Sequence, residues 1–227
     1  MSSPVIPIPL RGAQVFLINA ERPILVDTGN PGNTQKILDA LVANEIDPKR
    51  IDLIILTHCH IDHTGNVAAL KEQTGANVAI HPEEAEALKQ GINTDVWPVG
   101  VVGYMFKFLF SLLGKQKFTG VQPDILLAHE RPLDEFGVRG KVVATPGHTP
   151  GSVSVILDSG DAIIGDLLMG FGKNAPNYHP FAHDKSQIKQ SVRYIMNHQP
   201  KRLYVAHGGL FDADMVRKRL GMSLSGH

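Results

Sequence analysis

The sequence predicts an α/β protein, and three observations carry that expectation. Short apolar runs with strand character alternate with segments whose apolar residues recur at helical intervals. Several of these runs end in histidine or aspartate with glycine close by, so residues that bear chemistry collect where strands stop. The chain has 227 residues, 43% of them hydrophobic, which suits a single domain with a sizeable core.

Taken in order, Ala13 to Asn19 and Pro23 to Asp27 read as a hairpin closed by the turn around Ala20-Glu21-Arg22. Thr28 to Asn33 is a loop, and Ile37, Leu38 and Leu41 then fall at the spacing of a helix with one buried face. The apolar run Ile51 to Leu56 reads as a buried strand. It leads directly into Thr57-His58-Cys59-His60-Ile61-Asp62-His63-Thr64-Gly65, the densest concentration of ligand-type side chains in the chain. If the extended backbone continues past the strand, positions 58, 60 and 62 project to one side, and Cys59 and Ile61 to the other. His63 breaks this alternation, so the chain turns there, with Gly65 and Asn66 leading into a helix from Val67.

Imidazole and carboxylate are the common protein ligands of zinc and related divalent ions. His58, His60 and His63, joined later by His148 and His207, are therefore read as metal ligands rather than polar surface. Cys59 is read as a small packed residue. It is the sole cysteine, so no internal disulfide forms, and no secretory pattern opens the chain. A cytoplasmic location is the expectation.

Asn77 to Ile80 is a further strand, followed by His81, Pro82 and a helix over Glu83 to Leu88, with His81 in a structural, hydrogen-bonded role. Residues 91–120 interrupt the pattern with an apolar block from Val96 to Leu113. Pro98, Gly100, Gly103 and Lys107, and a length at the minimum for spanning, argue against a transmembrane helix. A lid over the site, a homodimer or membrane-surface contact, and ordinary core packing all stay open. As a lid, it would bring Trp97, Tyr104, Phe106, Phe108 and Phe110 to the site as an apolar wall.

Arg139 to Thr145 reads as a strand ending at Pro146-Gly147-His148-Thr149-Pro150-Gly151-Ser152. Val153 to Leu157 and Ala162 to Ile164 are two more, the second running into Gly165-Asp166. His179 and His183, in the following loop, could line the mouth of a site but read as plain loop residues. Asp184 caps a helix to about Asn197, with Gln187 completing a capping box. Arg202 to Ala206 is a strand that delivers His207. The 22 basic and 22 acidic residues balance without a long charge run, so nothing marks a nucleic-acid surface.

The ordered set Val26-Asp27-Thr28-Gly29, His58-x-His60-x-Asp62-His63, Gly147-His148-Thr149-Pro150-Gly151-Ser152, Gly165-Asp166 and His207 resembles the metallo-β-lactamase superfamily over nearly the whole chain. The resemblance implies an αββα sandwich formed by one domain over residues 1–227, with metals at one edge of the sheets. It also implies that His58, His60 and His148 hold one divalent ion and Asp62, His63 and His207 another, with Asp166 bridging them. Asp27 and Thr57 would form a supporting shell. Zinc is the expected metal, with iron or manganese as alternatives. Two such ions hold a bridging hydroxide and polarise a substrate oxygen, and Asp62 takes a second, catalytic role in orienting the nucleophile or shuttling a proton.

Departures from family patterns narrow the substrate. His60 stands where the similar flavodiiron oxidoreductases have glutamate, and Asp166 where antibiotic-degrading lactamases have cysteine or serine. Only 20 residues follow His207. A glutathione-recognising helical region of the glyoxalase II type, or the extra domain of the superfamily's nucleases, is therefore not expected. Met169 replaces the tyrosine expected of quorum-quenching lactonases. The expectation is a hydrolase acting on a small, partly apolar ester, lactone or thioester. A mononuclear iron dioxygenase of the persulfide type and a non-catalytic metal-stabilised binding protein are the alternatives.

Overall fold

The computed structural model describes residues 5–112, 117–171 and 175–222. The chain opens with β1 Val5–Ile8, β2 Val15–Ile18 and β3 Ile24–Val26, then α1 Thr34–Ala43 and β4 Leu53–Ile55. Next come α2 Ile61–Thr64, α3 Val67–Thr74, β5 Asn77–Ile80, α4 Pro82–Gln90 and α5 Gly100–Ser111. Seven strands follow: β6 Ile125–Leu126, β7 Arg131–Pro132, β8 Gly140–Ala144, β9 Val153–Leu157, β10 Asp161–Ile163, β11 Leu168–Phe171 and β12 Ala175–Tyr178. The last elements are α6 Lys185–Asn197, β13 Arg202–Val205, β14 Gly209–Asp212 and α7 Ala213–Leu220.

One sheet runs β1-β2-β3-β4-β5-β6 and the other β14-β13-β10-β9-β8-β7, while β11 and β12 pair as a separate hairpin. Side chains on a strand alternate between faces, and here both faces are covered. Phe16, Ile18, Val26 and Ile55 of the first sheet meet Val142, Val155, Ile163 and Tyr204 of the second in a shared core. The intervening residues Leu17, Leu25, Ile54 and Val78 turn outward onto Ile37 and Leu41 of α1, Leu70 of α3 and Leu88 of α4. On the far side, Leu203 and Val205 pack against Ile188, Val192 and Ile195 of α6 and Val216 of α7. The order of layers is therefore helix, sheet, sheet, helix. It also explains the unbroken apolar runs, because strands buried on both faces have no polar positions to alternate.

Three local expectations need correction. The extended backbone does not reach Asp62: it stops at His60, whose carbonyl accepts from His63 N and Thr64 N at 2.9 Å each, and α2 begins at Ile61. The capping box at Asp184 is only half formed. Asp184 Oδ1 accepts from Ser186 N and Gln187 N at 2.7 and 3.1 Å, but the Asp184 N–H goes to Gly147 O, tying the helix start to the His148 loop. The apolar block is a helix, α5, with Val101, Tyr104, Met105, Phe108 and Leu109 exposed, so ordinary core packing does not describe that face. Gly103 on its other side lets α5 approach the 180–183 loop, since a Cβ there would lie 2.4 Å from Pro180 O. Among the described residues, no helix is long and apolar enough to cross a membrane.

Candidate metal centre

Strand ends of both sheets bring the ligand-type residues to one edge. From the first sheet, β3 runs into Asp27 and β4 into the 57–63 segment. From the second, β8 leads to His148, β10 to Asp166 and β13 to His207. Gly165 adopts φ 50°, and a Cβ there would meet the Thr57 side chain at 3.0 Å. Glycine is what allows the Asp166 turn to cross so close to the other sheet's loop.

Two donor clusters result. In the first, His60 Nδ1 lies 3.0 Å from His58 Nε2 and 3.1 Å from His148 Nε2. The second comprises Asp62, His63 and His207, with His207 Nε2 3.2 Å from Asp62 Oδ2 and His63 Nε2 3.9 Å from Asp62 Oδ1. Asp166 Oδ2 stands between them, 4.0 Å from His58 Nε2 and 3.6 Å from His148 Nε2 on one side. On the other it is 3.5 Å from both His63 Nε2 and His207 Nε2. Ligand atoms on a tetrahedral ion at about 2.0–2.1 Å stand about 3.3–3.4 Å apart, so these spacings are the edges such a polyhedron requires.

Hydrogen bonds set which nitrogens carry lone pairs. His63 Nδ1–H donates to Asp27 Oδ2 at 2.8 Å, and the Thr57 hydroxyl donates to the same carboxylate. With its proton committed, Thr57 Oγ1 accepts from His58 Nδ1–H at 3.1 Å. His148 Nδ1–H donates to Phe181 O at 2.9 Å. All three rings thus direct Nε2 inward, where it is a bare lone pair whenever the ring is neutral. Asp27 itself is buried with φ 65°, a left-handed conformation that costs free energy and recurs where geometry serves a site. His63 Nε2 and Asp166 Oδ1 are buried without a hydrogen-bond partner. Converging lone pairs and orphaned acceptors repel one another unless a cation sits among them, so the residues present fit divalent metal.

Burial pushes the pKa of His60 and of His148 down to about 4, with the neighbouring imidazoles adding to it, and holds His58 well below its usual value. The second cluster is opposite in sign. Burial disfavours the imidazolium there too, but Asp27, Asp166 and Asp62 outweigh it at His63, and Asp166 and Asp62 raise His207 to about 10.

Of the residues expected at the site, Asp27 and Thr57 meet His58 and His63 as described. Cys59 is buried, pointing at Ile92 O at 3.5 Å, and burial with the Glu84 charge pushes its thiol far up. It faces away from both clusters. His81 caps α4 by accepting from Glu83 N. Trp97 is half-buried and edge-on to His183 with ring centroids 4.6 Å apart, and its carbonyl accepts from Ala182 N. Met169 is half-buried on β11, one residue before Gly170, whose N–H donates to His207 O. Phe106 is half-buried, whereas Tyr104 and Phe108 are 66% and 64% exposed. Phe110 belongs to α5, with its side chain outside the described residues.

One site residue, Glu84, was not anticipated, and another, His179, was read as a plain loop residue. Glu84, fully buried on α4, accepts from Cys59 N at 2.9 Å and Gly151 N at 3.1 Å, joining the two loops of the first cluster. A charge on the stripe shared with Ala85 and Leu88 was its available signal. His179 brings Nε2 to 3.3 Å from Asp166 Oδ2, and only the fold reveals it.

A layered α/β scaffold with these His/Asp clusters at its edge defines a metal-dependent hydrolase. The profile of the metallo-β-lactamase superfamily matches residues 8–207, and the chain belongs to that superfamily. It is 29% identical over 201 residues to a probable metallo-hydrolase of Methanocaldococcus jannaschii, covering 87% of this chain and 88% of that one. It is 27% identical over 184 residues to a hydroxyacylglutathione hydrolase of a Shewanella species, covering 78% of this chain and 55% of that one. A crystal structure of an archaeal metallo-β-lactamase superfamily protein from Sulfolobus tokodaii superimposes with a TM-score of 0.70 at 21% identity. That match covers 100% of this chain and 88% of the other, and it shows the shared fold.

Proposed function

We propose that this chain is a dinuclear hydrolase of a small, partly apolar acyl ester, lactone or thioester, built as one domain. His58, His60 and His148 would hold one divalent ion, Asp62, His63 and His207 the other, and Asp166 both. The carrying observation is that one oxygen, Asp166 Oδ2, lies within 3.5–4.0 Å of nitrogens from both clusters. When bound, the two cations, with zinc as the first choice, supply water acidified to near neutrality and positive charge against the substrate oxygen. Asp62, on its helical turn beside His207, orients the attacking water and accepts its proton. Asp27 keeps His58 and His63 in the tautomers described above. Trp97 and Met169 flank the mouth and receive the apolar part. A relative bearing the name hydroxyacylglutathione hydrolase supports an acyl group as the part attacked.

Elemental analysis, paired with turnover of an ester, lactone and thioester panel before and after chelation, tests this. Two ions per chain and chelator-sensitive hydrolysis are expected. One iron, with oxygen uptake and no hydrolysis, would instead establish the dioxygenase reading. Two ions without turnover across the panel would favour a metal-stabilised binding protein.

Proton competition separates the clusters. His60 and His148, with pKa near 4, are already neutral at pH 6, so the first cluster's affinity is expected to stay flat from about pH 6 to 8. His63, whose pKa the facing carboxylates raise, and His207, raised to about 10, must release protons, so the second cluster's affinity rises with pH by up to about tenfold per unit for each proton displaced. Calorimetry in buffers of different ionisation enthalpy counts those protons. Equal pH dependence at both clusters contradicts the assignment.

A further inference from the structure

Phe181 presents its two opposite hydrogen-bonding groups to two neighbouring histidines. Its carbonyl oxygen accepts from His148 Nδ1–H at 2.9 Å, and its N–H donates to His179 Nδ1 at 3.3 Å. An imidazole whose Nδ1 bears the proton offers a lone pair at Nε2, whereas one whose Nδ1 accepts offers an N–H there. One residue therefore imposes opposite tautomers on two rings with centroids 4.6 Å apart. His148 Nε2 joins the first donor cluster. His179 Nε2, buried and 3.3 Å from Asp166 Oδ2, points a hydrogen at the same space.

Distance alone would make His179 a metal ligand, because it forms a compact group with His148 and Asp166. The Phe181 N–H argues against that, since a ring that accepts at Nδ1 keeps its proton at Nε2, where a cation would have to bind. The loop that carries the ring is also held from several sides. Pro180 O accepts from Val99 N at 2.7 Å, His183 N donates to His148 O at 3.1 Å, and Asp184 N donates to Gly147 O at 3.0 Å. A donor fixed before reaction costs no reorganisation when charge develops.

We infer that His179 is a catalytic hydrogen-bond donor, its Nε2–H fixed beside Asp166 to stabilise the substrate oxygen that gains negative charge when the acyl carbon is attacked. This rests on the hydrolase reading above. In the balanced reaction, a carbon–oxygen bond forms to water and the bond to the leaving oxygen or sulfur breaks. The leaving group takes a proton that originates in that water, and His179 keeps its own throughout.

The test uses zinc-loaded full chain labelled with 15N-histidine, and inorganic phosphate as an oxyanion probe. Nitrogen shifts are expected to show His179 as the Nε2–H tautomer and His148 as the Nδ1–H tautomer with Nε2 on zinc. His179→Leu is expected to keep the wild-type zinc content, to weaken phosphate binding about tenfold, and to lower kcat by about 10²–10³-fold with a smaller change in KM. His179→Gln, which restores an N–H donor, should recover phosphate affinity to within about threefold. A zinc-bound Nε2 on His179, zinc loss in His179→Leu, or unchanged phosphate affinity in that variant would each overturn the inference. If His179→Leu fails to fold, the wild-type tautomer and the glutamine variant still decide. Failure of the hydrolase reading would appear separately, as a wild-type chain without two ions or without turnover.

Discussion

Asp166→Ala is expected to reduce bound metal to one ion or fewer per chain and to lower turnover by about three orders of magnitude or more. Removal of a single stabilising donor already costs about 10²–10³-fold, and this residue serves both clusters. Its Oδ2 has His58 and His148 nitrogens on one side and His63 and His207 nitrogens on the other. Truncation leaves each cluster with three ligands and removes the one carboxylate oxygen placed between them, so the second ion, on Asp62, His63 and His207, is expected to bind more weakly. Asp166→Asn keeps the volume and one oxygen but not the charge, so it should retain the first ion and lose affinity for the second. Elemental analysis and steady-state kinetics on both variants check this. An alanine variant that keeps two ions and full turnover would remove Asp166 from the centre.

How far the site could be read in advance depended on the range of the interactions that build it. His58 and His60 were legible because β4 hands an extended backbone straight to them, so local alternation applies. Asp62 and His63 were placed in the right neighbourhood for partly the wrong reason. The His60 carbonyl gathers the N–H groups of His63 and Thr64, and Thr64 Oγ1 adds a third bond at 2.9 Å, which starts a helix that apolar patterning does not signal. Buried strands were legible through continuous apolar runs and the layer order through the family resemblance, but β1, the β11–β12 hairpin, β14 and α7 were not, because their pairing partners lie far away or their runs are short. His179 reads locally as a loop residue near the mouth, and Glu84 signals only as a charge on an apolar stripe. What gives each a role is a contact made across the fold, to Asp166 in one case and to two separated loops in the other.

Glu84→Leu is expected to destabilise the protein by about 3 kcal/mol and to weaken metal binding at the first cluster by about 10–100-fold. The carboxylate accepts from Cys59 N, between His58 and His60, and from Gly151 N, three residues past His148. A leucine of similar volume leaves two buried N–H groups unpaired, at about 1–3 kcal/mol each, so filling the space does not compensate. The loss of metal affinity has a different origin: the two loops no longer share an anchor, and the nitrogens of His58, His60 and His148 must be brought together at the moment of binding. Glu84→Gln separates the two effects, because its single amide oxygen can satisfy one N–H while its NH₂ group faces the other donor. It should fall between wild type and leucine in both melting temperature and affinity. Thermal melts of the metal-free variants isolate the packing cost, and metal titrations of the same proteins read the site. A leucine variant that melts early yet binds metal as tightly as wild type would leave Glu84 a purely structural residue, with the loops positioned by their own strands.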